Sequence, residues 1–260
     1  MVKAANQGSS IGISVYDGGG VDQFVEYVNK SFFIHQIHSS QWNLMDFSSK
    51  VEFVRTLTDI REGVGLPCKI ENKVMYHPEE LLSNLNQIFS EPCENVLVEA
   101  VDCEQTVILE QFLTGKEFSC IVIEGLDGVP VALPPTEIRK GKEMFDYRSK
   151  YLPGLSRKIT PIDLAFDDIE AIRNQCQKLF SELGFGVYAR IDGFYTSNGI
   201  FLNDPNTTSG MLPSSFFFHQ AAEIGLSPSQ FLTYIIQTSL KRREVEMMNL
   251  RKVPSLIQSL

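Results

Sequence analysis

Residues 186–206 read GVYARIDGFYTSNGIFLNDPN. Gly186 to Asp192 and Gly199 to Asn203 are short runs of apolar and aromatic residues, joined through the turn residues Thr196-Ser197-Asn198-Gly199. This is the pattern of two antiparallel strands. Strand side chains alternate, so Arg190 and Asp192 belong to one face. Antiparallel pairing would bring Asp192 beside Asp204. With the amide of Asn206, these are hard oxygen donors suited to Mg²⁺. The same residues also suit a polar turn closed by Asx hydrogen bonds, and the spacing alone leaves both readings open.

Outward from this ribbon the chain alternates between strands and helices. Upstream, Asp167 to Leu183 has helical spacing in Ile169, Ile172, Cys176 and Leu179, with an Asp cap. Residues 96–101, 106–112, 117–124 and 129–133 read as strands, and Gly125 to Gly128 as a turn. His77-Pro78-Glu79-Glu80 opens a helix to about Phe89. Val21 to Val28 and Ser48 to Arg61 have helical spacing, the second capped by Ser48 or Ser49. Residues 136–162 read as polar and irregular, and 227–250 as helix. The class is α+β, with antiparallel strand clusters rather than a βαβ repeat.

The 260 residues are 43% hydrophobic and carry a net charge of −9, which excludes a disordered chain and argues against a general nucleic-acid scaffold. No apolar run reaches the roughly 18 residues of a membrane span, and the N-terminus lacks a signal-peptide core. Five scattered cysteines without a CxxC read as free thiols in a reducing cytosol, so the expected location is cytoplasmic. The P-loop, GxGxxG, HExxH and GxSxG patterns are all absent. His35 and His38 form the one pair with ligand-like spacing and read as surface residues.

Two further stretches carry chemistry. Lys3 precedes Gly8-Ser9-Ser10-Ile11-Gly12, where glycine backbone, hydroxyls and a cation suit a phosphate; a flexible hairpin tip fits equally. Phe145 to Tyr151 interleaves phenols with cations, as a lid over an anionic substrate or as an amphipathic surface loop.

Taken in order, six blocks resemble the ATP-grasp region of the D-alanine–D-alanine ligase family. They are KAANQGSSIGIS (3–14), ILEQFLTGKEF (108–118), ALPPTEI (132–138), FDYRSKYL (145–152), GVYARIDGFY (186–195) and FLNDPNTTSGMLPSS (201–215). The resemblance implies an ATP-grasp fold, two α+β subdomains with mainly antiparallel sheets gripping a nucleotide cleft. Residues 1–113 would form the small subdomain, truncated at its start and with a helical insertion at about 17–76. Residues 114–260 would form the large one, ending in a helix.

The resemblance also implies roles. Lys3, Gly8, Ser9 and Ser10 would meet ATP phosphates; Glu110, Gln111 and Leu113 would read adenine; Glu117 would hold the ribose. Asp192, Asp204 and Asn206 look like magnesium ligands. Arg190 resembles the arginine that stabilises the developing oxyanion, and Ser9, Lys150 and Tyr151 would complete the catalytic set. Gly210 and Ser215 match positions around the substrate carboxylates. ATP, Mg²⁺ and small amino-acid substrates are the implied ligands, and an acyl phosphate the implied intermediate, serving cell-wall peptidoglycan synthesis. Nucleic acid and membrane are not implied.

Departures from the family pattern are visible. An N-terminal domain would precede Lys3, so the chain reads as a fragment expected to be inactive alone. Asp204 stands where glutamate is usual, a reach shorter by ~1–1.5 Å. Asn203 and Pro205 beside it are unusual, and no proline precedes Gly210 in Thr208-Ser209-Gly210. The alternative these departures support is a non-catalytic nucleotide-binding or interaction module.

Overall fold

The computed structural model describes residues 1–140 and 156–257. Two compact units divide the chain at Phe112–Leu113.

In the first unit, β1 (Val2–Ala4) lies between β2 (Ile13–Ser14) and β7 (Val107–Leu109), both antiparallel to it. Helix α1 (Val21–Phe32) ends where Phe33 turns left-handed, at φ 59°, which sends the chain back into β3 (Ile34–His38). A second sheet has the order β3, β6 (Asn95–Ala100), β4 (Cys68–Ile70), β5 (Lys73–Met75). Helices α2 (Ser39–Leu44), α3 (Phe47–Thr58) and α4 (Pro78–Ile88) complete the unit. Trp42, Phe33, Ile37, Leu81, Leu85 and Val98 form a core from which water is almost wholly excluded. The stretch expected as a helical insertion, 17–76, therefore holds three strands as well as helices. Its strands are short; β3 and β4 pair with β6, which lies outside the stretch, and β5 pairs with β4.

Helix ends depart from expectation. Asp46, not Ser48 or Ser49, caps α3, its carboxylate accepting the Ser49 N–H at 2.7 Å. That contact holds the Asp46 carboxyl below the usual carboxylate range. The later helix α5 (Phe166–Glu182) starts from Ala165 without a side-chain cap; its Asp167 and Asp168 lie in the first turn.

The second unit is built on an antiparallel sheet of order β11 (Ser156–Ile159), β10 (Thr136–Lys140), β8 (Lys116–Glu124), β12 (Tyr188–Thr196), β13 (Gly199–Asn206), with β9 (Pro130–Ala132) also on β8. Strands β10 and β11 fall in the stretch read as irregular; their polar side chains hide the alternation. Phe118, Cys120, Val122 and Ile191 face α5 through Ile172, Cys176 and Phe180. On the opposite face, Ile121 and Ile123 pack against α6 (Phe216–Glu223) and α7 (Pro228–Ile257) through Phe217 and Phe231. Each face thus buries a helix layer. Among the described residues no helix is long and apolar enough to cross a membrane.

Candidate functional site

The β12–β13 ribbon carries the densest chemistry. Arg190 pairs with Asn206 and Asp192 with Asp204, so all four side chains share one face of the ribbon. The register then shifts: Gly193 pairs with Leu202, leaving Asn203 as the extra residue of a β-bulge. Gly193 is required there, since a Cβ would stand 2.5 Å from the Phe201 carbonyl oxygen and 2.7 Å from the Phe118 ring. Pro205 is tolerated because β13 is the edge strand.

Arg190 closes on both oxygens of Asp192, Nε at 3.0 Å and Nη2 at 2.9 Å. Burial pushes the Asp192 carboxyl above its ordinary range; the guanidinium opposes this, and Asp204 adds to it. Asn206 donates its amide N–H to the Asp204 carbonyl at 2.9 Å, which leaves its side-chain oxygen as an acceptor. Two opposed carboxylates and a free amide oxygen form a donor set whose chemistry fits a divalent cation. Among the described residues, both hydrogen bonds of the Arg190 guanidinium go to Asp192.

On β8, Ser119 is the direct neighbour of Asp192, and Glu117 lies on the same face two residues earlier. The hydroxyls of Ser209 and Ser215 are shielded from solvent and have no hydrogen-bond partner among the described residues. Ser215 is the residue before α6 and, despite that place, makes no side-chain cap bond. Gly210 is exposed in the loop between β13 and α6.

The first unit places the other expected residues. Gly8 accepts the Ile11 N–H at 3.0 Å across a turn whose central residues, Ser9 and Ser10, have φ of 56° and 61°. Two successive L-residues in the left-handed region cost roughly 1–2 kcal/mol each. The Ser9 and Ser10 N–H groups have no partner among the described residues, so they are free to meet an anion. Gly12, at φ +65°, closes the turn where a Cβ would meet Ala4 at 3.0 Å and the Phe33 ring at 3.2 Å.

Lys3 forms an ion pair with Glu110 at 2.6 Å, which joins an expected phosphate contact to an expected adenine contact. Met1 and Glu110 exchange backbone hydrogen bonds, the last that this end of the ladder makes. Residues 110–113 are therefore irregular rather than strand, which corrects the longer strand expected at 106–112. The Gln111 carbonyl and Leu113 N–H have no hydrogen-bond partner among the described residues. Lys150 and Tyr151 lie outside the described residues.

Sequence reading missed two groups. Glu104, only 8% exposed, accepts from the Asn6 backbone N–H at 3.1 Å and from the Asn6 amide at 2.8 Å, and so holds the root of the Gly8–Ser10 turn. Lys158 sits beside Phe216, within electrostatic reach of Arg190.

The antiparallel sheets and their helix layers place the chain in the α+β, ATP-grasp class. The family described as D-ala D-ala ligase C-terminus matches residues 87–237, more than half of the chain, and the chain belongs to that family. A D-alanine–D-alanine ligase of Fervidobacterium nodosum is 28% identical over 192 residues, 70% of this chain and 57% of its own length. The ligase of Leptospira interrogans is 33% identical over 144 residues, 54% of this chain and 41% of its own length. The chain thus spans about half the length of these relatives. Among solved structures, the Bacillus anthracis D-alanine–D-alanine ligase complexed with ATP is similar at TM-score 0.43 and 22% identity, covering 82% of this chain and 61% of that one. The Coxiella burnetii ligase aligns at TM-score 0.49 and 16% identity, over 99% of this chain and 56% of that one.

Proposed function

We propose that a protein carrying this chain is an ADP-forming carboxylate–amine ligase of the D-alanine–D-alanine type. The observation that carries the reading is the common face of Arg190, Asp192, Asp204 and Asn206 in a chain of this family.

In the proposed reaction, a substrate carboxylate oxygen attacks the γ-phosphorus of ATP, ADP leaves, and an acyl phosphate forms. The amine of a second amino acid then attacks the acyl carbon. The tetrahedral adduct expels phosphate, and the amine proton is lost. Lys3 and the free N–H groups of Ser9 and Ser10 would take ATP phosphates. Asp192, Asp204 and the Asn206 oxygen would hold Mg²⁺, which supplies charge neutralisation on the phosphates. Arg190 would stabilise the developing oxyanion, and charge placed for that purpose is usually the largest catalytic contribution. Ser215 and Gly210 would hold a substrate carboxylate, Ser215 with a buried hydroxyl that has no partner among the described residues. Gln111 and Leu113 would offer the backbone pair that adenine needs, with Glu117 on the ribose. Lys150 and Tyr151 belong to the proposed lid.

Thermal unfolding of the chain with MgATP and with MgAMP, beside an assay of ADP released on adding D-alanine, tests this. A shift specific to MgATP and D-alanine-dependent ADP in a protein carrying the chain are expected. A shift without turnover there favours the non-catalytic nucleotide module; no shift overturns both.

A further inference from the structure

Lys158 stands on β11, paired with Ile138 of β10. Its ammonium donates to the Ser214 carbonyl at 2.8 Å and lies 4.6 Å from the centre of the Phe216 ring. The Arg190 guanidinium is 5.9 Å from the same ring. Two cations therefore flank one phenyl group, but their charges are met differently. Arg190 is neutralised by Asp192. Among the described residues, Lys158 has no carboxylate in ion-pair range.

An ammonium has three donors, and Ser214 accepts one. Lys158 also lines a cavity of about 380 Å³ together with Thr160, Pro213, Phe218, His219 and Glu223. Glu223 is not ion-paired with Lys158, and its own charge disfavours an anion at its end, so an anion belongs at the Lys158 end. Burial pushes the Lys158 ammonium below its ordinary range, with the Arg190 charge adding to the effect; a bound anion relieves both. Through Lys158, which donates to the Ser214 carbonyl, and through Pro213, the cavity lies near Ser215 in the chain. An alanine side chain is a single methyl and cannot use this space or this charge.

We propose that Lys158 is a specificity-determining residue that takes the side-chain carboxylate of a dicarboxylic amino-acid acceptor. The proposal rests on the ligase reading in one respect, that the acceptor's main-chain carboxylate lies at Ser215. The balance of the reaction is unchanged, since the side-chain carboxylate is bound and not transformed.

Calorimetric titration of the chain with D-glutamate, D-alanine and glutarate tests the idea. D-Glutamate is expected to bind at least about tenfold more tightly than D-alanine, as one charge-assisted hydrogen bond would give. Glutarate should bind as well, Lys158→Met should abolish the preference, and Lys158→Arg should keep most of it. Equal binding of the two amino acids, or an unchanged preference in Lys158→Met, overturns the proposal. Circular dichroism checks the fold of each variant; if Lys158→Met unfolds, the unmodified chain and Lys158→Arg still decide. Ser215→Ala and the MgATP shift report separately on the ligase reading. A glutamate preference that survives with neither effect would leave Lys158 as an anion site and remove the ligase role.

Discussion

Asp192 on β12 and Asp204 on β13 are direct partners across an antiparallel ribbon, and both side chains stand on one face. Burial raises the Asp192 carboxyl above its ordinary range, Arg190 opposes this, and the Asp204 charge adds to it. A divalent cation would satisfy both carboxylates.

The first prediction follows from that sign. A carboxyl raised in the folded state contributes stability that is complete below its unfolded value of about 3.9 and is lost as pH rises through the folded value. Asp192→Asn is therefore expected to match the unmodified chain at pH 4 and to be no less stable at pH 7. It should also lose the Mg²⁺-dependent part of the MgATP shift. Thermal melts across that range decide it; a large loss of stability at pH 7 with the Mg²⁺ response intact would count against the metal assignment.

Glu104 is expected to act through the turn it anchors. Glu104→Ala leaves the Asn6 N–H and amide without their acceptor and should cost about 1–3 kcal/mol of local stability. The loosened Ser9–Ser10 turn should weaken ATP binding about tenfold or more while leaving adenosine binding unchanged, because adenosine has no phosphates. Comparable losses for both ligands would mean that the carboxylate only supports the fold.

Glu137 gives a pH dependence of the opposite sign. Its carboxylate is 5% exposed and is held by Arg139 at 2.6 Å, with Lys116 at 3.6 Å. The Arg139 contact first, then the Asp163 N–H and the Lys116 charge, keep it below the usual carboxylate range. Its stabilisation is present above the unfolded value of about 4.3 and is lost as pH falls through the folded value. Glu137→Ala, which leaves Arg139 and Lys116 with Asp163 alone, should destabilise the chain by about 1 kcal/mol near neutral pH, since both cations are partly exposed, and flatten the acid limb of the stability curve. Urea unfolding between pH 3 and 7 reads both.

Much of this was legible locally. The two-residue period of Arg190-Ile191-Asp192 and the turn at Thr196–Gly199 are short-range features, and the strands and shared face they predict are present. Helix α4 was legible for the same reason, with Pro78 in its first turn and Glu79 and Glu80 beside it. Strands β10 and β11 were not, because their outward residues are charged and hide the alternation. The end of β7 was not, because a strand stops where its partner's pairing stops, and that partner is β1.

What the sequence by itself determined is therefore the order of elements and the residue types on each face, since both follow from periods of two or 3.6 along the chain. Register and company were decided only by the tertiary structure. Asn203 becomes a bulge because Gly193 lets β12 close on Phe201 and Phe118. Glu104 meets Asn6 from 98 residues away. Lys158 stands beside Phe216 because β11 and the start of α6 meet over the sheet. Such contacts carry no periodic signal, because they join residues far apart in the chain, and packing of the whole unit is what selects them.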